Sequence, residues 1–421
     1  MVKFLHAADL HLDSPLVGLS RYPGAPAAQL RHATRQALEN LVDLAISETV
    51  AFVLLAGDLY DGDWRDYHTG LFLAHQMSRL REAGIAVFIL AGNHDAQSQI
   101  TKVLKLPENV TRFPTRQAAT FFMEHIGVAV HGQGFAAPAV TKDLAAGYPP
   151  AVPDLFNIGM LHTSLTGRQH HAPYAPCSLT GLLTKHYDYW ALGHVHQRET
   201  LHQDPWVVFP GNLQGRHIRE TGSKGATLVT VQDGQVAAVE HVPLDVVRWS
   251  LCRVDVTGLE SAVDVLDLAA ETVAQEMAAQ TGLALAVRLH IAGACRAHEE
   301  LAGRRDYWLQ EMRNTINDLS LGNAWLEKVI VQTSASTTLE ELLAAGGALA
   351  SFFQGMEDFK LDDAGLAELV QEFADLHRKL PLELRSGLED LELDNPDFYR
   401  RSLEDVKHYI VARLLGQGGA P

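Results

Sequence analysis

Phe4-Leu5-His6-Ala7-Ala8-Asp9-Leu10-His11 sets an apolar run directly before a carboxylate and an imidazole. The layout recurs at Phe52-Val53-Leu54-Leu55-Ala56, which leads into Gly57-Asp58, and at Val87-Phe88-Ile89-Leu90-Ala91, which leads into Gly92-Asn93-His94-Asp95. Short apolar runs of this kind read as strands buried on both faces. Amphipathic stretches lie between them. In 34–48, Ala37, Leu38, Leu41, Val42, Leu44 and Ala45 recur at helical spacing, and a second stretch, 67–83, stops at Gly84. Further apolar strands are expected at 128–131, 158–161 and 190–192, then a strand-only stretch, 206–242, with a hairpin signal at Asp233-Gly234. Strands alternating with helices predict an α/β layered fold with buried sheets.

The polar groups after these strands form an ordered series: Asp9-Leu10-His11, Gly57-Asp58-Leu59-Tyr60-Asp61, Gly92-Asn93-His94-Asp95, the single His162, and Gly193-His194-Val195-His196. Taken singly, each is weak. Asp-x-His is more often a surface turn, Gly-Asp after a strand is usually a turn, and a lone histidine is usually structural. Together they all sit at strand C-terminal ends, the rim where the loops of an open α/β sheet converge on a crevice. Carboxylate, amide oxygen and imidazole suit manganese, iron, zinc or magnesium, with no thiolate to select a soft metal. Two cations roughly 3.5–4 Å apart can share one carboxylate, and Asp58 is the natural bridge. Gly57, Gly92 and Gly193 leave room for close approach.

The series resembles the signature of the calcineurin-like metallophosphoesterases, D-x-H, G-D-x-x-D, G-N-H-D/E, H and G-H-x-H, complete over residues 9–196. The resemblance implies a four-layer α/β/β/α sandwich over 1–244. One divalent cation would take Asp9, His11, Asp58 and His196, and the other Asp58, Asn93, His162 and His194. His94 would assist the leaving oxygen and Asp95 would orient His94. Within that superfamily the chain is similar to the SbcD-type DNA repair exonucleases, above all their YhaO-like branch, through residues 7–15, Leu161-His162-Thr163, Tyr174-Ala175-Pro176-Cys177 and the run 209–217 that continues to 220–225. That implies a manganese-dependent DNA exonuclease or endonuclease acting in repair with an SMC-like coiled-coil ATPase, and a homodimer. Arg216 and His217 are candidates to touch a substrate phosphate, or else form a structural turn. His170 and His171 are read as solvated.

Residues 245–335 are expected to form a small β-α-β-α-β cap domain. The region 336–421 should be helical, broken at Gly346-Gly347, Pro381 and Pro396, with Leu366, Leu369, Val370 and Phe373 read either as part of a solvated helical end or as an amphipathic face for a partner. The chain of 421 residues carries a net charge of −17, awkward for a nucleic-acid binder. The imbalance is uneven, since 335–421 hold 17 Asp/Glu against 8 Lys/Arg, a balance of −9. Three widely spaced cysteines, Cys177, Cys252 and Cys295, argue against a disulfide framework, and the N-terminus lacks the layout of a signal peptide. The compartment is therefore read as reducing and cytoplasmic, with no membrane span. Two competing readings are a small-substrate phosphodiesterase or phosphatase, and a scaffold with a vestigial site, which the complete ligand set opposes.

Overall fold

The computed structural model describes residues 1–14, 27–61, 67–97, 105–165, 174–336, 363–379 and 395–416. Pro15, His170, His171, Gly346, Gly347, Pro381 and the Leu369 side chain lie outside these. The chain divides into two compact units, one of residues 1–251 with 280–287, the other of 252–279 with 288–421.

In the first unit the order is β1 (Val2–Ala7), α1 (Ala27–Ser47), β2 (Phe52–Leu55), α2 (Tyr67–Glu82), β3 (Ala86–Ile89), α3 (Asn93–Gln97), β4 (Val110–Arg112), β5 (Ala119–Met123), β6 (Val128–Gly132), β7 (Phe156–His162), α4 (Leu179–Leu183), β8 (Tyr189–Gly193), β9 (Glu199–Gln203), β10 (Trp206–Phe209), β11 (Gly225–Gln232) and β12 (Gln235–Pro243). The strands form two six-stranded sheets, β12-β11-β1-β2-β3-β4 and β5-β6-β7-β8-β10-β9. In the first, β1 to β4 run parallel. In the second, β6, β7, β8 and β10 run parallel.

Alternation along the strands builds the layers. Leu5, Ala7, Val53, Leu55, Val87 and Ile89 face α1 and α2, where Leu38, Leu41, Val42, Leu73 and Met77 meet them. Phe4, Phe52, Leu54 and Phe88 turn the other way and join Val130, Ile158, Met160, Tyr189 and Val208 between the sheets. There Phe4 stacks on Phe52 at 4.9 Å and meets Tyr189 edge-on at 5.3 Å. The far face of the second sheet buries Leu161, Trp190, Leu192 and Val207 under Tyr148 and Leu182. The unit is thus the α/β/β/α sandwich. Asp233 and Gly234, with φ of 53° and 76°, make the expected hairpin between β11 and β12.

The remaining elements are β13 (Val247–Asp255), α5 (Ala262–Ala279), β14 (Ala284–Cys295), α6 (His298–Gly303), α7 (Arg305–Ser320), β15 (Ala324–Ala335), α8 (Asp363–Lys379) and α9 (Pro396–Gly416). They run β-α-β-α-α-β before the last two helices, and the strands form a three-stranded sheet, β13-β14-β15. Neighbouring strands β14 and β15 are tied by Arg288, whose guanidinium grips Glu327 at 2.6 and 2.7 Å. Val265, Ala269 and Val273 of α5 are buried, as are Trp308, Met312 and Ile316 of α7. Leu366 is buried, and Phe373, itself partly exposed, meets Tyr399 of α9 at 5.5 Å. Among the described residues no helix is long and apolar enough to cross a membrane.

Candidate metal centre

The parallel strands all end on one rim. Asp9 and His11 follow β1, Asp58 follows β2, Asn93 and His94 open α3 after β3, His162 ends β7, and His194 and His196 follow β8. Their side chains converge in three overlapping groups whose ligand-type atoms lie within 4.8 Å of one another: Asp9, His11 and His196; His11, Asp58 and His94; Asp58, His162 and His194. Asn93 joins the last through its Oδ1, 3.0 Å from His162 Nε2. Asp58 belongs to two groups, as a shared carboxylate should.

Convergence needs an unusual backbone. Asp9, His11, Asp58 and His194 all have positive φ, at 53°, 42°, 54° and 98°. Such left-handed residues other than glycine cost about 1–3 kcal/mol each and persist where function holds them. Cross-links hold them here. Asp9 N and His11 N donate to Gly57 O and Asp58 O, both at 3.0 Å. His194 N donates to the Asp9 carboxylate at 2.9 Å, and His94 N to Asp58 Oδ1 at 3.0 Å. The loops touch so closely that a Cβ on Gly92 would lie 2.2 Å from Asp58 Oδ1.

Burial makes this cluster electrostatically costly. Burial pushes the Asp9 carboxyl up to about 6, with the Asp58 charge adding and His196 and His162 opposing. Burial also works on Asp58, but His162, His11 and His94 outweigh it and hold Asp58 well below the usual carboxylate range. His162 would be lowered by burial, yet Asp58 and Asp9 lift it to about 9. His11 is lowered to about 3 by burial and by Arg216.

The tautomers test whether a cation fits. His162 Nδ1 lies 2.9 Å from Ala56 O, so it carries the proton. Nε2, 3.0 Å from Asn93 Oδ1 and 3.4 Å from Asp58 Oδ2, is then the nitrogen that faces the oxygens, with a proton there or a cation in its place. His196 Nδ1 donates to Glu220 Oε1 at 2.6 Å, leaving Nε2 facing His11 Nε2 at 3.2 Å. Lone pairs pointed at one another repel unless a proton or a cation lies between them. Both pairings fit divalent metals of the oxygen- and imidazole-binding kind.

His94 is the open member of the set, its side chain 38% exposed. The structure gives its orientation to a different carboxylate from the expected one. Asp95 is buried and accepts from Leu59 N, Tyr60 N and Gly92 N at 2.9, 3.1 and 3.0 Å, so it fastens the loop around His94. Asp61 Oδ1 lies 3.0 Å from His94 Nδ1, and that hydrogen bond raises the His94 pKa against burial. Arg216 is mostly buried, 3.6 Å from Asp61 Oδ2 and 3.5 Å from Glu220 Oε1, while His217 is half exposed beside Glu220. Glu220 was not among the sequence candidates. It stands 24 residues from His196, and no spacing rule connects them.

Residues 2–198 match the family described as calcineurin-like phosphoesterase, and residues 249–334 match the middle domain of the metallophosphoesterase YhaO. The chain is 40% identical over 273 residues to the uncharacterized metallophosphoesterase YhaO of Bacillus subtilis, covering 64% of this chain and 67% of that one. It is 24% identical to the DNA double-strand break repair protein Mre11 of Sulfurisphaera tokodaii, covering 53% of this chain, and 25% identical to that of Methanopyrus kandleri, covering 61%. In both cases it spans 60% of the relative, under two thirds of its length. A crystal structure of a dimetal phosphatase from Danio rerio is similar at 12% identity, over 55% of this chain and 93% of that one, with a TM-score of 0.34. The chain belongs to the calcineurin-like phosphoesterases, metal-dependent hydrolases that bind two divalent cations, and carries a YhaO middle domain.

Proposed function

We propose that the chain is a two-metal phosphodiesterase that hydrolyses DNA in repair. Asp9, His11, Asp58 and His196 would hold one cation, and Asp58, Asn93, His162 and His194 the other, with manganese as the resident metal. When bound, the cations would neutralise charge developing on a phosphate. The observation that carries the reading is His94: partly exposed at the mouth of the cluster, with Nδ1 held 3.0 Å from Asp61. That contact uses Nδ1, leaves Nε2 for a substrate, and stabilises the protonated ring, which could give a proton to a leaving oxygen. Asp95 acts through the loop it fastens. His217, half exposed, and Arg216 behind it would meet a substrate phosphate. The choice of DNA rests on the two Mre11 relatives. A coiled-coil ATPase partner, pairing of two chains and a cytoplasmic setting, supported by three free cysteines, complete the proposal.

Purified full-length chain with manganese should degrade labelled single- or double-stranded DNA. Asp58→Ala should abolish this. His94→Ala should lower kcat by about 10²–10⁴ while manganese still binds. Cleavage of bis-p-nitrophenyl phosphate without any cleavage of DNA would replace the DNA reading with a small-substrate one.

A further inference from the structure

Glu220 is buried, and both its oxygens are used as acceptors. Oε1 takes the His196 Nδ1 proton at 2.6 Å, with Arg216 Nη2 at 3.5 Å and His217 Nε2 at 3.4 Å. Oε2 takes Asn212 Nδ2 at 2.9 Å and Arg216 N at 2.8 Å. An amide offers a single acceptor oxygen, so only a carboxylate satisfies donors on both sides. The backbone of His196 is held as firmly as its ring. Lys224, itself buried, donates Nζ to His196 O at 2.8 Å, and Asn212 N reaches the same oxygen at 3.3 Å.

This arrangement fixes one tautomer of His196. With Nδ1 committed to Glu220, Nε2 is the nitrogen left to face His11 and Asp9, at 3.2 Å from His11 Nε2 and 3.9 Å from Asp9 Oδ1. We propose that Glu220 is a positioning residue for the cation shared by Asp9, His11, Asp58 and His196, acting through the His196 ring. A carboxylate behind a ligating imidazole fixes its direction and raises its basicity, and losing one lowers metal affinity about 10–100-fold. The inference rests on the reading that these four residues hold a cation.

The test is equilibrium binding of Mn²⁺ to the metal-stripped full chain, with free Mn²⁺ followed by electron paramagnetic resonance. Four proteins are compared: wild type, Glu220→Gln, His196→Ala and the double variant. Wild type should bind two Mn²⁺. Glu220→Gln should weaken one of the two about 10–100-fold and spare the other. In the His196→Ala background the same change should have almost no further effect, because its route is gone. Equal losses in both backgrounds, or none in wild type, overturn the role of Glu220 and leave the metal centre standing. A wild-type chain that binds no Mn²⁺ overturns the centre itself. The metal-free melting temperature checks folding. If Glu220→Gln does not fold, Glu220→Asp takes its place: it keeps both acceptors but sits one methylene further from His196. It should show a smaller loss, again only when His196 is present, and loss in both backgrounds would overturn the role.

Discussion

The centre depends on single residues that leave no space and no freedom. A Cβ on Gly193 would lie 2.0 Å from Ala56 O, the same carbonyl that fixes His162 through Nδ1. Gly193→Ala should therefore displace that carbonyl, cost about 1–3 kcal/mol of stability in urea unfolding, and weaken cation binding as well. His6 makes a different demand. Its ring joins the two sheets, with Nε2 donating to Leu192 O and Nδ1 accepting from Tyr189 Oη, both at 3.0 Å. Burial lowers its pKa from 6.5 to about 3. Above pH 6.5 the ring is neutral in folded and unfolded chains alike, so pH does not act through it. Below that, the unfolded chain takes up a proton that the folded chain refuses until about pH 3, and stability falls as pH drops through this window. The slope is up to ~1.4 kcal/mol per pH unit. In His6→Gln this slope should vanish, so the stability gap between wild type and variant should narrow as the solution is acidified from pH 6.5. A constant gap would refute the assignment.

At the scale of elements, α1 packs on the sheet through its apolar stripe. Leu41 is buried against that face, so Leu41→Ala should cost about 2–5 kcal/mol in chemical denaturation. Gln36 is exposed, and Gln36→Ala should stay within about 0.5 kcal/mol of wild type. The same physics explains what could be read from the sequence. Strands β1, β2, β3, β7 and β8 are buried along nearly their whole length, so their apolar runs stand out, and α1 and α2 show one clear stripe. Strand β5 lies at a sheet edge with Phe122 exposed and only Met123 buried, so its short apolar run carries no burial pattern that marks it as a strand. Helix α3 has no apolar stripe to announce it, because its five residues are the motif itself, and its first turn is fixed by the His94 N–H contact to Asp58. The seven candidate ligands stand out in the sequence because each lies at or just past the end of an apolar strand. The partners behind them were less so. Asp61 reaches His94 from another loop, and Glu220 reaches His196 from 24 residues away, through folding alone.

At the scale of the whole molecule, two mixed six-stranded sheets face each other, and their parallel strands bring residues from 9 to 196 to one rim. The positive-φ residues at that rim are held by hydrogen bonds between neighbouring loops, and the carboxylates and imidazoles they carry form a donor set suited to divalent cations. The acidic balance of the chain, −17 overall, is no obstacle locally, because two dications would reverse the sign of the field where a phosphate binds. The most direct measurement is the rate of bis-p-nitrophenyl phosphate hydrolysis as Mn²⁺ is titrated into the metal-stripped full chain. The rate should be negligible without metal, rise until two equivalents are bound, fall away with a chelator, and stay flat throughout in Asp58→Ala. A rate that survives the chelator, or that Asp58→Ala retains, would contradict the two-cation centre.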